Sequence, residues 1–561
     1  MLPTVRRRTV CLPVSEDGIA QIATLLCIWG CFVSVCPSSA QPEADFDLQG
    51  ESMLTIQNLT IIHKKDLTTL AENVTFSVMP GERLALIGEE GNGKSTLLRA
   101  ILQDESIETY VETSGKIINT YRTAFLPQEL PAGCRNLSAY EFFCEDEAFF
   151  DQMPRHLGEI AARLGLAHDV FYSEQTMATF SGGERVKLQL ARLLMRDPQL
   201  LLLDEPTNDL DGDTIRFLTE FLKTCGLAVL FVSHDETLLR EAATGVILLE
   251  RLRRRQLPRA SVCHQRYEDF VKTREDLFAH QAQVARKQRE ELGKKMERYN
   301  QIRQRVEHEQ NAVSRRDPHS ARMLKKKMHA VTSMGARFER EANEMTAMPE
   351  SEEAIFAKLD CQPLPSTKVV LDLNLDRLCI GERTLSKGLR LCVRGTDKIC
   401  LTGKNGAGKS TLLRHVRDML KNRKDLSVFY MPQDPDDLLQ MDKTPLEMLI
   451  ETGNKEEQVK NAVALGSMKF TGEEMNHPCR GLSGGQKAKL MFLMMAASGA
   501  NVLLLDEPTR NLSPLSGPVI RELFSAYPGC IIAVSHDALL IESVCTHEAH
   551  LTENGLIVRK F

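Results

Sequence analysis

The sequence predicts two α/β domains built on parallel sheets and joined by a long α-helical hairpin. Three observations carry that reading. A series of short motifs occurs twice in the same order. Each copy contains continuous apolar runs that end in Asp, the pattern of a central strand buried on both faces. Between the copies lies a polar run, nearly free of Gly and Pro, that is long enough for two packed helices. At 561 residues, 42% hydrophobic and 26% charged, the chain has the composition of a globular protein. Its length suits two to four domains of roughly 100–200 residues each.

The duplication is legible residue by residue. Gly88-Glu89-Glu90-Gly91-Asn92-Gly93-Lys94-Ser95-Thr96 returns as Gly403-Lys404-Asn405-Gly406-Ala407-Gly408-Lys409-Ser410-Thr411. Leu126-Pro127-Gln128 returns as Met431-Pro432-Gln433, and Ser181-Gly182-Gly183 as Ser483-Gly484-Gly485. Asp204-Glu205-Pro206-Thr207 returns as Asp506-Glu507-Pro508-Thr509, and Val232-Ser233-His234 as Val534-Ser535-His536. The two loop lysines lie 315 residues apart, whereas the Ser-Gly-Gly, Asp-Glu and His pairs all lie 302 apart. The region between the loop and the Ser-Gly-Gly element therefore absorbs the 13-residue difference, as connecting segments do.

Each motif has a local context. Arg83–Ile87 reads as a strand entering the first glycine loop, and Ser95–Leu102 as the helix leaving it. Leu200–Leu203 and Val502–Leu505 read as central strands, with Leu227–Val232 and Ile531–Val534 as their neighbours. A polar helix is expected from about Arg266 to Asn311. After the break at Arg315-Arg316-Asp317-Pro318, Ser320 is expected to cap a second helix running to about Thr346. A first arm of this length reaches about 65 Å, and a helix so polar all round either bridges domains or meets a partner. The resulting organisation is a leader at 1–52, a first domain at 53–252, a basic linker at 253–350 and a second domain at 366–561.

The formal net charge is −6, but its distribution is uneven. Residues 251–347 hold 24 Lys or Arg against 13 Asp or Glu, an excess of +11. Compact basic clusters at Arg251–Arg255, Arg315-Arg316 and Lys325–Lys327 suit phosphate backbones and point to a polyanionic partner for the linker. None of the 15 cysteines forms a Cys-x-x-Cys pair, so most are expected to be small buried hydrophobes of a cytoplasmic protein. The first residues differ from the rest. Arg6-Arg7-Arg8, an apolar stretch from Gly18 to Cys36 and Ser38-Ser39-Ala40 resemble a signal peptide. Because everything downstream reads as cytoplasmic, translation is expected to start at Met53.

The repeated motifs carry phosphate chemistry. Glycines at 88, 91 and 93, and at 403, 406 and 408, let backbone N–H groups turn onto phosphate oxygens at a helix N-terminus. Lys94 and Lys409 would neutralise β and γ phosphates, and Ser95 and Ser410 would present hydroxyls to Mg²⁺. Asp204 and Asp506 at strand ends would hold that Mg²⁺. Glu205 and Glu507 beside them would polarise an attacking water, and His234 and His536 would reach the γ-phosphate.

This order of motifs resembles that of the ATP-binding-cassette ATPases, over about 54–250 and 368–560. The resemblance implies two cassettes paired head to tail around two ATPs. Ser181–Gly183 would then close over the nucleotide at Lys409, and Ser483–Gly485 over the one at Lys94. It also implies metal- and water-contacting roles for Gln128 and Gln433. Two cassettes joined by a charged hairpin, without an apolar run long enough to span a bilayer, resemble the ABC-F group. That group acts on the ribosome as translation factors or in protection against antibiotics. Its linker enters the tRNA exit site, which implies rRNA and tRNA as partners and a monomer with no stable membrane partner. An energy subunit of a transporter and a nucleic-acid repair ATPase are the alternatives.

Two departures bear on the mechanism. Where the first copy has Asn208-Asp209-Leu210-Asp211, the second has Arg510-Asn511-Leu512-Ser513. Ser513 stands where the family has an Asp that touches the opposite site, so unequal hydrolysis is expected. No aromatic lies between Val369 and Leu401, and the only candidates to stack on adenine in the first cassette are His63 and Phe76. Weak base selectivity is the expectation.

Overall fold

The computed structural model describes residues 54–208, 210–251, 257–312, 318–343, 345–346, 359, 361–450 and 454–561. The leader, the expected start at Met53, the Arg253, Arg254 and Arg255 of the first basic cluster and the Arg315-Arg316 pair lie outside the described residues.

Each cassette is organised by a six-stranded sheet. In the first, strands β1 (Arg83–Gly88), β2 (Thr123–Leu126), β3 (Leu200–Asp204), β4 (Ala228–Val232), β5 (Gly245–Arg251) and β6 (Leu257–Cys263) lie in the order β2-β3-β4-β1-β5-β6. All neighbours are parallel except the last pair. In the second, β7 (Lys398–Thr402), β8 (Val428–Met431), β9 (Val502–Asp506), β10 (Cys530–Val534), β11 (His547–Thr552) and β12 (Gly555–Lys560) repeat that order as β8-β9-β10-β7-β11-β12. Leu200 to Leu203 are completely buried, because the parallel strands are covered on both faces. A smaller antiparallel sheet flanks each core: Leu54–His63 with Thr69–Val78 and Val111–Asn119, and Val369–Ile380 with Arg383–Arg394. Phe76 sits in the first of these and is 5% exposed, so it is a core residue unable to stack on a base. His63 is held by Asp66 and packs near Tyr110.

The linker is a hairpin of α1 (Tyr267–Ala312, 46 residues) and α2 (Pro318–Asn343, 26 residues). At 1.5 Å per residue the first arm is about 69 Å long. The second helix is described from Pro318, so the backbone of Ser320 lies within it rather than before it, and the capping role expected of the Ser320 side chain lies outside the described residues. Proline, with its fixed φ and missing N–H, suits the first turn of a helix. The arms are not polar all round, contrary to the expectation. Ala285, Val306, Leu324 and Val331 are buried along a seam, Tyr299 meets Phe338 edge-on at 6.1 Å, and Lys295 pairs with Glu341 at 2.8 Å. Gly335 leaves room for the Tyr299 ring, since a Cβ there would fall 2.6 Å from its hydroxyl. The root of α1 is anchored. Tyr267 and Phe270 are buried in the first cassette's core, and Arg274 pairs with Glu250 at 2.6 Å, both nearly buried. Among the described residues no helix is long and apolar enough to cross a membrane.

The eleven described cysteines are free thiols. Cys225, Cys400, Cys479, Cys530 and Cys545 are buried, whereas Cys379 and Cys392 are exposed. The expectation of mostly buried cysteines therefore holds for only part of the set.

Candidate active site

The two glycine loops follow the central strands β1 and β7, at the carboxyl ends of the sheets where open α/β folds bind ligands. Gly88 and Gly403 have φ of 151° and 140°, and a Cβ there would meet the backbone oxygens of Leu249 and Leu551 at 2.3 and 2.7 Å. Only glycine fits so close a backbone approach. Each loop ends on a helix, Lys94–Ile101 or Lys409–Leu420. Lys94 Nζ donates to the carbonyls of Gly88 and Glu89, and Lys409 Nζ to those of Gly403 and Lys404. Asn92 Nδ2 donates to Leu249 O and braces the first loop from within.

Ser95 Oγ donates to Asp204 Oδ1 at 3.0 Å, and Ser410 Oγ to Asp506 Oδ1 at 3.1 Å. Burial pushes Asp204 up to about 6 and raises Asp506 as well. Asp506 Oδ2 is buried without a hydrogen-bond partner. A hydroxyl beside a desolvated carboxylate with an unused oxygen fits a hard divalent cation, which takes oxygen ligands and keeps the rest of its shell for phosphate and water.

Glu205 and Glu507 follow these aspartates with φ of 47° and 51°, in the left-handed region. The reversal is held by backbone bonds from Glu205 N to Val232 O and from Glu507 N to Val534 O. It turns both carboxylates toward the histidines that lie two residues beyond the next strand. His234 Nε2 lies 3.3 Å from Glu205 Oε1, and His536 Nε2 lies 3.7 Å from Glu507 Oε1. The two acids then differ. Burial would raise Glu205, but its hydrogen bond with His234, the charges of His234 and Lys94 and the bond from Asn208 outweigh this and bring it to about 2. Gln128 Nε2 also donates to Glu205 Oε2 at 3.2 Å. Burial, reinforced by Asp506, pushes Glu507 up to about 8. Burial, with Lys409 adding to it, lowers His536 to about 4.

The Ser-Gly-Gly elements are helix N-termini. Ser181 and Ser483 cap α3 (Gly182–Leu194) and α4 (Gly484–Ala497) through reciprocal capping boxes with Glu184 and Gln486. These caps stabilise the helix ends and hold the following glycine N–H groups in place. Both elements face the opposite cassette. Gly182 and Arg185 line a cavity of about 560 Å³ together with Asn405, Lys409, Ser410, Gln433, Asp506, Glu507 and His536. Asp211 reaches the same place, within electrostatic range of His536 and Lys409. On the other side Gly485 N donates to Glu90 Oε2. The structure thus brings each Ser-Gly-Gly element to the other cassette's phosphate loop. Ile380 is one of several aliphatic residues that line the same cavity.

Sequence reasoning missed two contacts between cassettes. Arg521 pairs with Glu236 through two bonds of 2.8 and 3.0 Å, both side chains nearly buried. Lys489 pairs with Glu89 at 2.6 Å, also nearly buried. The available signal was the set of positions at which the two copies differ in charge.

Comparison with known proteins agrees with this geometry. The ABC transporter domain model matches residues 71–208 and 386–510. The chain is therefore an ATPase with two ATP-binding cassettes in one polypeptide. Its relatives along nearly the whole length are ABC-F proteins. It is 28% identical over 538 residues to the ATP-binding protein Uup of Buchnera aphidicola, covering 91% of this chain and 82% of that protein. It is 28% identical over 518 residues to the ribosome protection protein VmlR of Bacillus subtilis, covering 90% and 88%. It is 26% identical to ABC transporter F family member 5 of Arabidopsis thaliana, covering 85% and 72%. Among solved structures, the archaeal ribosome recycling factor aABCE1, in complex with ribosomal stalk protein aP1, shares the fold with a TM-score of 0.56 at 16% identity over 90% of each chain.

Proposed function

We propose that this protein is a ribosome-acting ATPase whose paired cassettes hydrolyse ATP and whose basic hairpin engages ribosomal or transfer RNA. The observation that carries it is the hairpin itself: an arm of about 69 Å, rooted in the first cassette, with Lys325, Lys326 and Lys327 all exposed near its far end. A rigid lever with a cationic end converts motion between cassettes into displacement at a phosphate-rich target. Similarity to a ribosome protection protein over 90% of this chain supports the same target. Arg251 is not part of that cationic surface, because it ends β5 and donates to Thr69 O.

In the hydrolytic step, the loop N–H groups and Lys94 or Lys409 bind the β and γ phosphates. Ser95 with Asp204, and Ser410 with Asp506, are the residues that would hold Mg²⁺, joined by Gln128 and Gln433. When bound, that ion neutralises developing phosphate charge. Glu205 and Glu507 orient the attacking water and accept its proton, and His234 and His536 hold the glutamates and approach the γ-phosphate. Gly182 and Gly183, and Gly484 and Gly485, complete each site from the other cassette.

Co-sedimentation of the Glu205→Gln, Glu507→Gln double variant with ribosomes tests the target. Binding is expected with ATP and not without it. Charge reversal of Lys325–Lys327 to Glu, together with Arg315 and Arg316, is expected to abolish that binding. Binding unchanged by the reversal would overturn the role of the hairpin.

A further inference from the structure

The two phosphate loops differ at their second, third and fifth positions, and the structure shows what the first two differences do. At 404 and 405 the second loop carries Lys and Asn; at 89 and 90 the first carries two glutamates. Both glutamates turn across the interface. Glu90 places its carboxylate on the backbone N–H of Gly485, at the N-terminus of α4, and a Cβ on Gly484 would fall 2.9 Å from the same carboxylate. Glu89 pairs with Lys489 from the next turn of α4, both about nine-tenths buried.

The second site cannot form this arrangement. The position matching Lys489 is Lys187, and the position matching Glu89 is Lys404, so two like charges stand where the first site has an ion pair. Lys187 instead stays in its own cassette, over the Phe217 ring at 4.2 Å. A Cβ on Gly183, which matches Gly485, would meet only Thr214 among its three nearest atoms, whereas one on Gly485 would meet Asn511 of its own cassette and then Glu90 of the other. The space between Gly182 and Lys409 remains an open cavity.

We propose that Glu89 and Glu90 are a latch built into the first ATP site: Glu90 occupies the anion seat at Gly485 that a γ-phosphate would take, and the Glu89–Lys489 pair holds it there. The inference rests on the reading above that Ser483–Gly485 close over nucleotide at Lys94. A single N–H cannot serve two anions, and a carboxylate beside a triphosphate is repelled by it. Nucleotide therefore fills the second site first, and the first site binds only after the latch opens. Its apparent affinity is lowered by the fraction of time the latch is shut, about tenfold for a latch closed nine-tenths of the time.

Equilibrium dialysis of the full-length chain with AMP-PNP and Mg²⁺ tests this. Wild type is expected to show a tight and a weak class of site, with Lys409→Ala removing the tight class and Lys94→Ala the weak one. Glu90→Asn is expected to tighten the weak class about tenfold and to leave the tight class unchanged. The isosteric Glu89→Gln, which keeps the loop's shape, is expected to act in the same direction. Equal classes in wild type, or a weak class unmoved by both glutamate variants, would overturn the latch. Loss of neither class in the lysine variants would instead overturn the assignment of the sites on which the latch rests.

Discussion

The two ATP sites share the five repeated motifs but differ in the loop that carries Asp211 or Ser513 and in their electrostatics. Around Lys94, Glu205 is held ionised by His234 and Asn208, with Gln128 also donating to it, and the opposite cassette is already engaged through Glu89 and Glu90. Around Lys409 a cavity of about 560 Å³ stays open, Glu507 is pushed up to about 8, and His536 is held uncharged by burial. The interface between cassettes is just as uneven. Arg521 and Glu236 form a buried pair, yet their counterparts are Thr219 and Ala538, so the matching place cannot form one. Duplication preserved the chemistry, and a few substitutions at facing positions gave the two halves separate tasks. In such a pair the open site is the one expected to turn over.

The largest effect that comparison implies is catalytic. Glu507→Gln is expected to lower ATPase activity about 100-fold or more, as loss of a general base does, while Glu205→Gln retains most of it. Single-turnover assays of each variant measure this, and equal residual rates would break the comparison. Next is the buried interface pair. Arg521→Met leaves Arg240, 3.6 Å away and partly exposed, as the cation beside the buried Glu236, and is expected to cost about 3 kcal/mol, read as a lowered denaturation midpoint. The double change with Glu236→Gln should recover much of that loss.

A third effect is pH-dependent and smaller. In the nucleotide-free chain Glu507 has a raised pKa, so its contribution to stability is present at low pH and is lost as pH rises through about 8. Glu507→Gln is therefore expected to raise Tm relative to wild type above that pH, by a few degrees. Near pH ~5 the two should melt together. Glu205 has the opposite sign: its contribution is present near neutrality and is lost as pH falls toward about 2, so Glu205→Gln should destabilise most near neutrality. Identical pH profiles for the two variants would remove the electrostatic difference. The smallest effect concerns the caps. Asp211 accepts bonds from Thr214 N and Oγ1, whereas Ser513 makes no side-chain cap and leaves its hydroxyl buried and unpartnered. Asp211→Ala is expected to cost about 1 kcal/mol, and Ser513→Ala almost nothing.

Much of this molecule was legible in its sequence, because phosphate loops, strand-end acids and buried strands are local patterns. β1, β3, β9 and the glycine loops fall where apolar runs and glycines placed them. The hairpin was legible as two helices, but its apolar seam was not. Ala285, Val306, Leu324 and Val331 are spaced too widely to stand out until two helices are packed together. Phe76 was ambiguous for a related reason: alternation along a strand shows that a side chain faces one side, not which side is the core.

Local patterns along the chain specify the chemistry on offer: two ATP-binding cassettes, their loop lysines, paired acids and histidines, and a basic arm between them. They also record that Ser513 replaces an acid. Which charges meet is set by how the two cassettes pair. Glu89 finds Lys489, 400 residues away, and Glu90 finds Gly485, because pairing of the two cassettes sets one glycine loop against the other's Ser-Gly-Gly helix. Burial raises both Glu205 and Glu507, but the hydrogen bonds that Glu205 shares with His234 and Asn208 pull it down and separate two residues that read identically in the chain.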